Sequence, residues 1–363
     1  MKKLISLLAM MPLMMAGLYA QTLNIDASNP KIRYVGRTLN SGSEVSFDWT
    51  GTYLEMRFTG DAIKLRAGDS GENFYNVFID KNQLPTICIN SADTTITLAS
   101  GLGRGTHTLV LQKRTEGSQG ITTLKEFIVE GKSTAILKSP APRERHIEFI
   151  GDSYTCGYGV EATAGEGFSG RTENCNLAHG AILARLFDAD YTFISNSGKG
   201  VVRNYGDKNQ TSDTTMQQLI LRTLNTQQLP QWDFSTAHFT PDIVVIFLGI
   251  NDYSTEPSPS VKQFKAGYKN VIATLRSVYP PEMPILCIAP NVSDKVAEAL
   301  SEMKSELKDS NFHYFTHHDS YLNYAADYGA DGHPDIEGQR KVAMLTAPYL
   351  SSVMGWALPA VLY

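Results

Sequence analysis

The sequence predicts a two-part chain: an all-β sandwich or jelly roll, then an α/β domain on a mostly parallel sheet covered on both faces. Three observations carry that reading. Residues 21–137 break into short, nearly alternating runs separated by Gly, Asn, Asp and Ser, the spacing of a small sandwich. From His146 onward, apolar strand-like runs alternate with helical patterns, which implies parallel strands joined by crossover helices. Between the two, residues 138–145 include Ser139-Pro-Ala-Pro142, which continues neither strand nor helix and reads as a linker.

Residues 1–20 read as a targeting segment. Lys2 and Lys3 precede an apolar run from Leu4 to Leu18, and Tyr19-Ala20-Gln21 offers a small residue at a cut after Ala20, the plan of a secretory signal peptide. No cysteine follows the run, which disfavours a lipoprotein. Export to the periplasm or beyond is the expectation, with no stable membrane insertion after cleavage, because no later stretch is long and apolar enough to span a bilayer. The 363 residues are 42% hydrophobic and 19% charged, enough for one or two real cores. A net charge of -5, without a Lys/Arg cluster, argues against nucleic acid as a partner. Cys156 and Cys175 flank one loop; a disulfide and two free thiols are both open, whereas Cys287 reads as a buried thiol in a strand.

In the first domain the strand patterns are Val45–Trp49, Tyr53–Phe58, Ala62–Arg66, Asn76–Asp80, His107–Gln112 and Ile121–Glu130. Nothing there resembles a catalytic constellation, and His107 reads as structural. The second domain, 146–363, has strands at His146–Ile150, Tyr191–Ser195, Ile243–Leu248, Ile285–Ala289 and His313–Phe315. Its helices are expected at Cys175–Phe187, Asp213–Leu224, Ser258–Val278, Ser293–Lys308 and Ile336–Met354. In such sheets ligands sit at the carboxyl ends of the strands. Gly151-Asp-Ser153 and Gly249-Ile-Asn251 both follow strands directly, so they should meet there.

Ser153 at the end of a buried strand is the candidate nucleophile, and it needs a base to take its proton. His333, in the polar loop Asp331-Gly-His-Pro334, is the candidate base, because an unperturbed imidazole titrates near working pH. Asp331 lies two residues before it; either its carboxylate or its backbone carbonyl would fix the imidazole tautomer. The Ser153 N–H, a glycine N–H from Ser197-Gly-Lys-Gly200 and the Asn251 amide would form an oxyanion hole. Tyr158, Trp232 and Tyr253 lie near these loops and are candidate sugar-stacking residues. Asp152 and Asp252 read as loop braces and His179 as a structural helix residue. His317-His318-Asp319 reads as a surface loop, since no matching metal-ligand set is evident. The chemistry calls for neither metal nor cofactor.

The order Gly-Asp-Ser, a Gly-bearing loop, Gly-x-Asn-Asp and Asp-x-His resembles the SGNH (GDSL) hydrolase superfamily over about residues 146–355. Its four signature positions map onto Ser153, Gly200, Asn251 and His333. With the β-rich first domain, Gly-Asp-Ser-x-Thr-x-Gly-Tyr-Gly, Ser-Gly-Lys-Gly, Trp232-Asp-Phe234 and Asp-Gly-His-Pro, the chain is most similar to carbohydrate esterase family 2. That resemblance implies a jelly roll joined to a flavodoxin-like three-layer SGNH domain. It also implies removal of acetyl groups from polysaccharides such as xylan and glucomannan, often at the 6-O position. The superfamily spacing is Asp-x-x-His, whereas here it is Asp331-Gly-His333, so a Ser-His dyad oriented by a carbonyl is an open alternative. An SGNH lipase or thioesterase, and a carbohydrate-binding protein with a decayed esterase domain, are the competing functions.

Overall fold

The computed structural model describes residues 21–235, 237, 239–317, 322, 323 and 325–358. The expected signal peptide, with His318 and Asp319, lies outside the described residues. Twelve strands form the first domain. One sheet holds β1 (Gln21–Asp26), β3 (Leu39–Ser41), β4 (Glu44–Phe47), β6 (Ala62–Asp69), β9 (Thr94–Ser100) and β11 (Thr122–Gly131). The other holds β2 (Arg33–Val35), β5 (Tyr53–Thr59), β7 (Asn73–Ile79), β8 (Asn82–Ile89), β10 (Thr106–Lys113) and β12 (Ala135–Leu137). All pairs are antiparallel, and the inward residues Val45, Phe58, Leu65, Val77, Leu109 and Phe127 make one core.

In β11 a bulge between Leu124 and Glu126 shifts the buried positions from Thr122 and Leu124 to Phe127 and Val129, which keeps both ends facing the core. Strands β1, β2, β3, β8, β9 and β12 have no counterpart in the sequence reading. Each of them pairs with a single neighbour, and β8 carries Pro85 and a mostly exposed face.

The second domain is a five-stranded parallel sheet of β13 (Arg145–Gly151), β14 (Ala189–Ser195), β15 (Ile243–Phe247), β16 (Ile285–Ala289) and β17 (Phe312–Thr316). The spatial order β14-β13-β15-β16-β17 places a topological switch point between β13 and β15. Ile243–Phe247 and Ile285–Ala289 are buried throughout, as a sheet covered on both faces requires. Its helices are α1 (Ser153–Cys156), α2 (His179–Leu186), α3 (Met216–Leu219), α4 (Ile250–Tyr253), α5 (Val261–Val278), α6 (Asp294–Leu307) and α7 (Ile336–Met354). The side chains of Ser260, Ser293 and Asp335 cap α5, α6 and α7. No helix among the described residues is long and apolar enough to cross a membrane.

Two expected helices are shorter than read. Ala178 is extended (φ -73°, ψ 156°), so Cys175–Phe187 becomes a 3-10 turn followed by α2. The Asp213–Leu224 pattern yields only the one turn of α3, and first-domain side chains take carbonyls just beyond it. Arg37 Nη1 donates to Ile220 O (2.5 Å) and Arg222 O (2.8 Å), and Trp49 Nε1 donates to Thr223 O (3.0 Å). The two domains are joined further by Arg33 and Tyr53 on Asp190, and by the Asp48 carboxylate on the N–H groups of Asn225 (2.7 Å) and Thr226 (3.0 Å).

Candidate active site

The sharp turn after β13 depends on Gly151: a Cβ there would run into the Thr155 side chain. Asp152 then caps α1, its Oδ1 accepting from Tyr154 N (3.1 Å), and Ser153 becomes the first helical residue. At that position a helical N–H has no intrahelical partner. The chain reaches the same place again from α7's end of the sequence. A 3-10 turn at Ala330–Gly332 is closed by His333 N on Ala330 O (2.9 Å) and Gly329 N on His333 O (2.7 Å). That turn brings His333 Nε2 to 2.8 Å from Ser153 Oγ.

The other imidazole nitrogen, Nδ1, lies 3.2 Å from Ala330 O. A carbonyl only accepts, so Nδ1 carries the proton and Nε2 offers its lone pair to the serine hydroxyl. Tyr158 stacks on the imidazole (4.1 Å between centroids, 28°) and Tyr154 meets it edge-on (5.7 Å). Burial lowers the His333 pKa below its ordinary value; the Ala330 carbonyl, the Asp331 charge and the Asp331 carbonyl partly oppose this.

Asn251 arrives from α4, after β15, on the other side of the switch point. Its Nδ2 donates to Lys199 O (3.0 Å) and Asp152 Oδ2 (3.2 Å). Burial pushes the Asp152 carboxyl up to about 7; the Tyr154 N–H opposes this and the nearby Asp252 charge adds to it. Asp252 is fully buried and accepts from the N–H groups of Val201 (2.9 Å), Val202 (2.8 Å) and Arg203 (2.9 Å), fixing the loop after β14. A cleft of about 660 Å³ opens over Ser153, Asn251 and His333.

Two family models match the chain. A model of the carbohydrate esterase 2 N-terminal domain matches residues 34–140, and one of the GDSL-like lipase/acylhydrolases matches residues 147–346. An acetylxylan esterase / glucomannan deacetylase of Cellvibrio japonicus is 30% identical over 97% of this chain and 98% of its own length. The chain belongs to carbohydrate esterase family 2. It is accordingly a carboxylic ester hydrolase. The cellulase/esterase CelE of Acetivibrio thermocellus is 33% identical over 91% of this family 2 esterase, which spans about 40% of the length of CelE. A solved family two carbohydrate esterase from Clostridium thermocellum, in complex with cellohexaose, aligns with a TM-score of 0.79 at 32% identity, covering 90% of this chain and 100% of that one.

Several expected site residues of this family 2 esterase stand elsewhere or act through other atoms. The Asp331 carboxylate does not reach the imidazole: its Oδ2 accepts from Tyr158 OH (2.8 Å) and Phe168 N (3.1 Å). With one residue fewer than Asp-x-x-His, the left-handed backbone at Asp331 (φ 48°, ψ 34°) turns the side chain away, and the Ala330 carbonyl takes its place. Gly200 does not line the cleft; its N–H points to Asn204 Oδ1 (3.3 Å), and Ser197 and Gly198 form that wall. Trp232 is not on the cleft either, its ring lying beside the buried Arg37 guanidinium (5.7 Å). Tyr253 packs on Phe264 at the edge of the sheet core, with Lys295 over its ring.

Tyr158 does line the cleft, but one face is spent on His333, and Phe168 packs close by (4.5 Å). Tyr205, which the sequence reading passed over, lines the cleft and is 62% exposed. Its signal was an aromatic next to Gly206 in a polar loop. His317 is buried against Phe247 rather than on a surface loop. His179 and His107 are buried, with Nδ1 on Gln339 Oε1 (3.1 Å) and Asp80 Oδ2 (2.8 Å). Cys156 and Cys175 are free thiols: Cys156 Sγ faces Ser195 and Glu116, and Cys175 Sγ faces Lys113 O (3.2 Å).

Proposed function

We propose that this chain is an exported serine esterase that removes O-acetyl groups from polysaccharides, with acetylated xylan or glucomannan as substrate and an acetyl-enzyme on Ser153 as intermediate. The observation that carries the reading is the 2.8 Å contact between Ser153 Oγ and His333 Nε2, with Nδ1 held by the Ala330 carbonyl. The substrate class rests on the named activities of the Cellvibrio relative and on the cellohexaose bound to the Clostridium esterase. The open cleft with exposed Tyr205 at its wall suits a sugar chain. The composition of residues 1–20 supports export.

In this mechanism Ser153 Oγ attacks the acetyl carbonyl carbon as its proton passes to His333 Nε2. The C–O bond to the sugar breaks, and the same proton goes to the leaving sugar oxygen. Water then attacks the acetyl-serine, gives its proton to Nε2, and acetate departs as Ser153 regains its hydrogen. The oxyanion takes hydrogen bonds from the Ser153 N–H, from Asn251 and from the Ser197–Gly198 wall of the cleft. The long bond of Asn251 to Asp152 (3.2 Å) keeps that donor occupied at rest and is the one to exchange for the substrate oxygen.

The reading is tested by acetate release from acetylated glucomannan and acetylated xylan, beside a long-chain acyl ester, with Ser153→Ala as control. Acetate release from a glycan that disappears in the variant is expected. Turnover of the long-chain ester alone would move the function to a lipase, and no turnover of any ester would leave a binding role.

Two further outcomes follow from the imidazole's surroundings. A base must be neutral to accept a proton, so a lowered His333 pKa keeps the enzyme active to lower pH. The acid limb of kcat/KM is expected to turn below the ordinary histidine value of about 6.5; an inflection at or above that value contradicts it. Because a carbonyl orients His333, Asp331→Asn is expected to cost no more than about 10-fold in kcat, against the ~10⁴-fold loss of a true triad carboxylate. A loss of the larger size would return Asp331 to the triad.

A further inference from the structure

We propose that Glu116, a residue of the β-sandwich, is a positioning residue for the esterase reaction, holding the oxyanion loop and the nucleophile's helix against each other from beneath. The inference rests on the serine-esterase reading above. Glu116 lies just beyond β10 and is 4% exposed. Its Oε2 accepts from Ser197 N at a short 2.6 Å and lies 3.5 Å from the Sγ of Cys156, the last residue of the helix that Ser153 begins. Cys156 Sγ also lies 3.3 Å from Ser195 Oγ at the end of β14. One carboxylate from the other domain therefore ties Ser197, next to Gly198 on the cleft wall, to the turn that presents the nucleophile.

Glu116 is itself held on both sides. Its N–H donates to Glu173 Oε2 (3.1 Å), and its carbonyl accepts from the buried Lys113 Nζ (3.1 Å). The next residue, Gly117, lies so close to Asn225 that a Cβ would come within 2.7 Å of the Asn225 Cβ. Asn225 Oδ1 in turn accepts from Asn196 Nδ2 (2.7 Å), one residue before Ser197. Asp48, also from the sandwich, fixes Asn225 through its N–H. The stretch Asn196–Gly198 is thus braced twice by the first domain, and Glu116 makes the direct contact. Displacing oxyanion donors by a fraction of an ångström weakens transition-state binding more than substrate binding.

The test compares Glu116→Gln, which keeps an acceptor for Ser197 N–H, with Glu116→Leu, which fills similar volume without one. Steady-state hydrolysis of 4-nitrophenyl acetate is measured together with inhibition by benzeneboronic acid, whose tetrahedral adduct on Ser153 would put an oxygen in the oxyanion position. Near-ultraviolet circular dichroism checks the fold, and Glu116→Ala replaces Glu116→Leu if that variant does not fold. The leucine variant is expected to lose about 30–100-fold in kcat with KM within about twofold, and boronate affinity should fall in parallel. The glutamine variant is expected to lose about two- to fivefold in both, a rescue that a purely structural role would not give. Unchanged kcat and boronate affinity in all variants, or a loss confined to KM, overturns the proposal. A wild-type protein without esterase activity, or a Ser153→Ala variant as active as wild type, removes the serine-esterase reading instead. Activity that needs Ser153 but ignores Glu116 removes this proposal alone.

Discussion

Replacing Ser153 by alanine is expected to lower kcat for acetyl-ester hydrolysis by about 10⁶-fold while leaving the melting temperature close to that of the wild type. The size follows from what the side chain does. Without the hydroxyl there is no covalent route, and the oxyanion donors and His333 can assist only direct attack by water. His333→Ala is expected to be nearly as damaging, and the double variant no worse than either, because the two groups act as a unit joined by the 2.8 Å contact. The measurement is release of 4-nitrophenol from its acetate by purified variants, with acetate release from acetylated glucomannan alongside. A double variant whose loss equals the product of the single losses would mean that the two groups work independently, which the geometry does not allow. The fold should survive, since Ser153 contributes a small side chain to a helix start already capped by Asp152.

Asp252→Ala is expected to destabilise the protein by at least about 3 kcal/mol and to disable the site with it. The carboxylate is fully buried and satisfies three successive backbone N–H groups, those of Val201, Val202 and Arg203. Removing it strands three donors away from water, each costing about 1–3 kcal/mol. The loop they belong to follows Gly198 on the cleft wall, so relaxation to regain hydrogen bonds would move the oxyanion side of the site. Asp252→Asn should be milder, because its amide oxygen still accepts from some of these donors. Chemical denaturation gives the stability change, and kcat on a small acetyl ester reports the site. An Asp252→Ala variant within about 1 kcal/mol of wild type would contradict the expected cost of stranding these N–H groups.

Much of the second domain was legible because its signals are local. A short, fully apolar run such as Ile285–Ala289, set between helical patterns, fits a buried strand in a sheet covered on both faces, and it is one. The face Phe264, Tyr268, Val271, Ile272 and Leu275 repeats at the helical period, and Ser260 caps its helix. Where the reading of elements failed, distant partners had intervened. Helix α3 is a single turn, and the carbonyls that follow it are held by Arg37 and Trp49, more than 170 residues earlier. Among the strands that escaped, each paired on one side only, β8 shows why: its residues are mostly exposed and carry Pro85, so no clean alternation marks it.

The amino-acid sequence by itself determined the parts of the site: a serine after a strand, an asparagine after the next strand across the switch point, and a histidine before the last helix. Strand ends deliver residues to one edge of a parallel sheet whatever the loops do, so those three meet. Only the tertiary structure decided which atoms face one another. His333 Nδ1 faces a backbone carbonyl, that of Ala330, and no side chain could announce it. Asp331, which sequence spacing put forward, is turned by its left-handed backbone toward Tyr158 and Phe168. Trp232 and Tyr253 do not line the cleft, because the side chains they pack on, Arg37 and Phe264, lie off it. Glu116 reaches Ser197 from 81 residues away, across a domain boundary. A contact of that kind depends on how two cores pack, and no periodicity or motif in either segment records it.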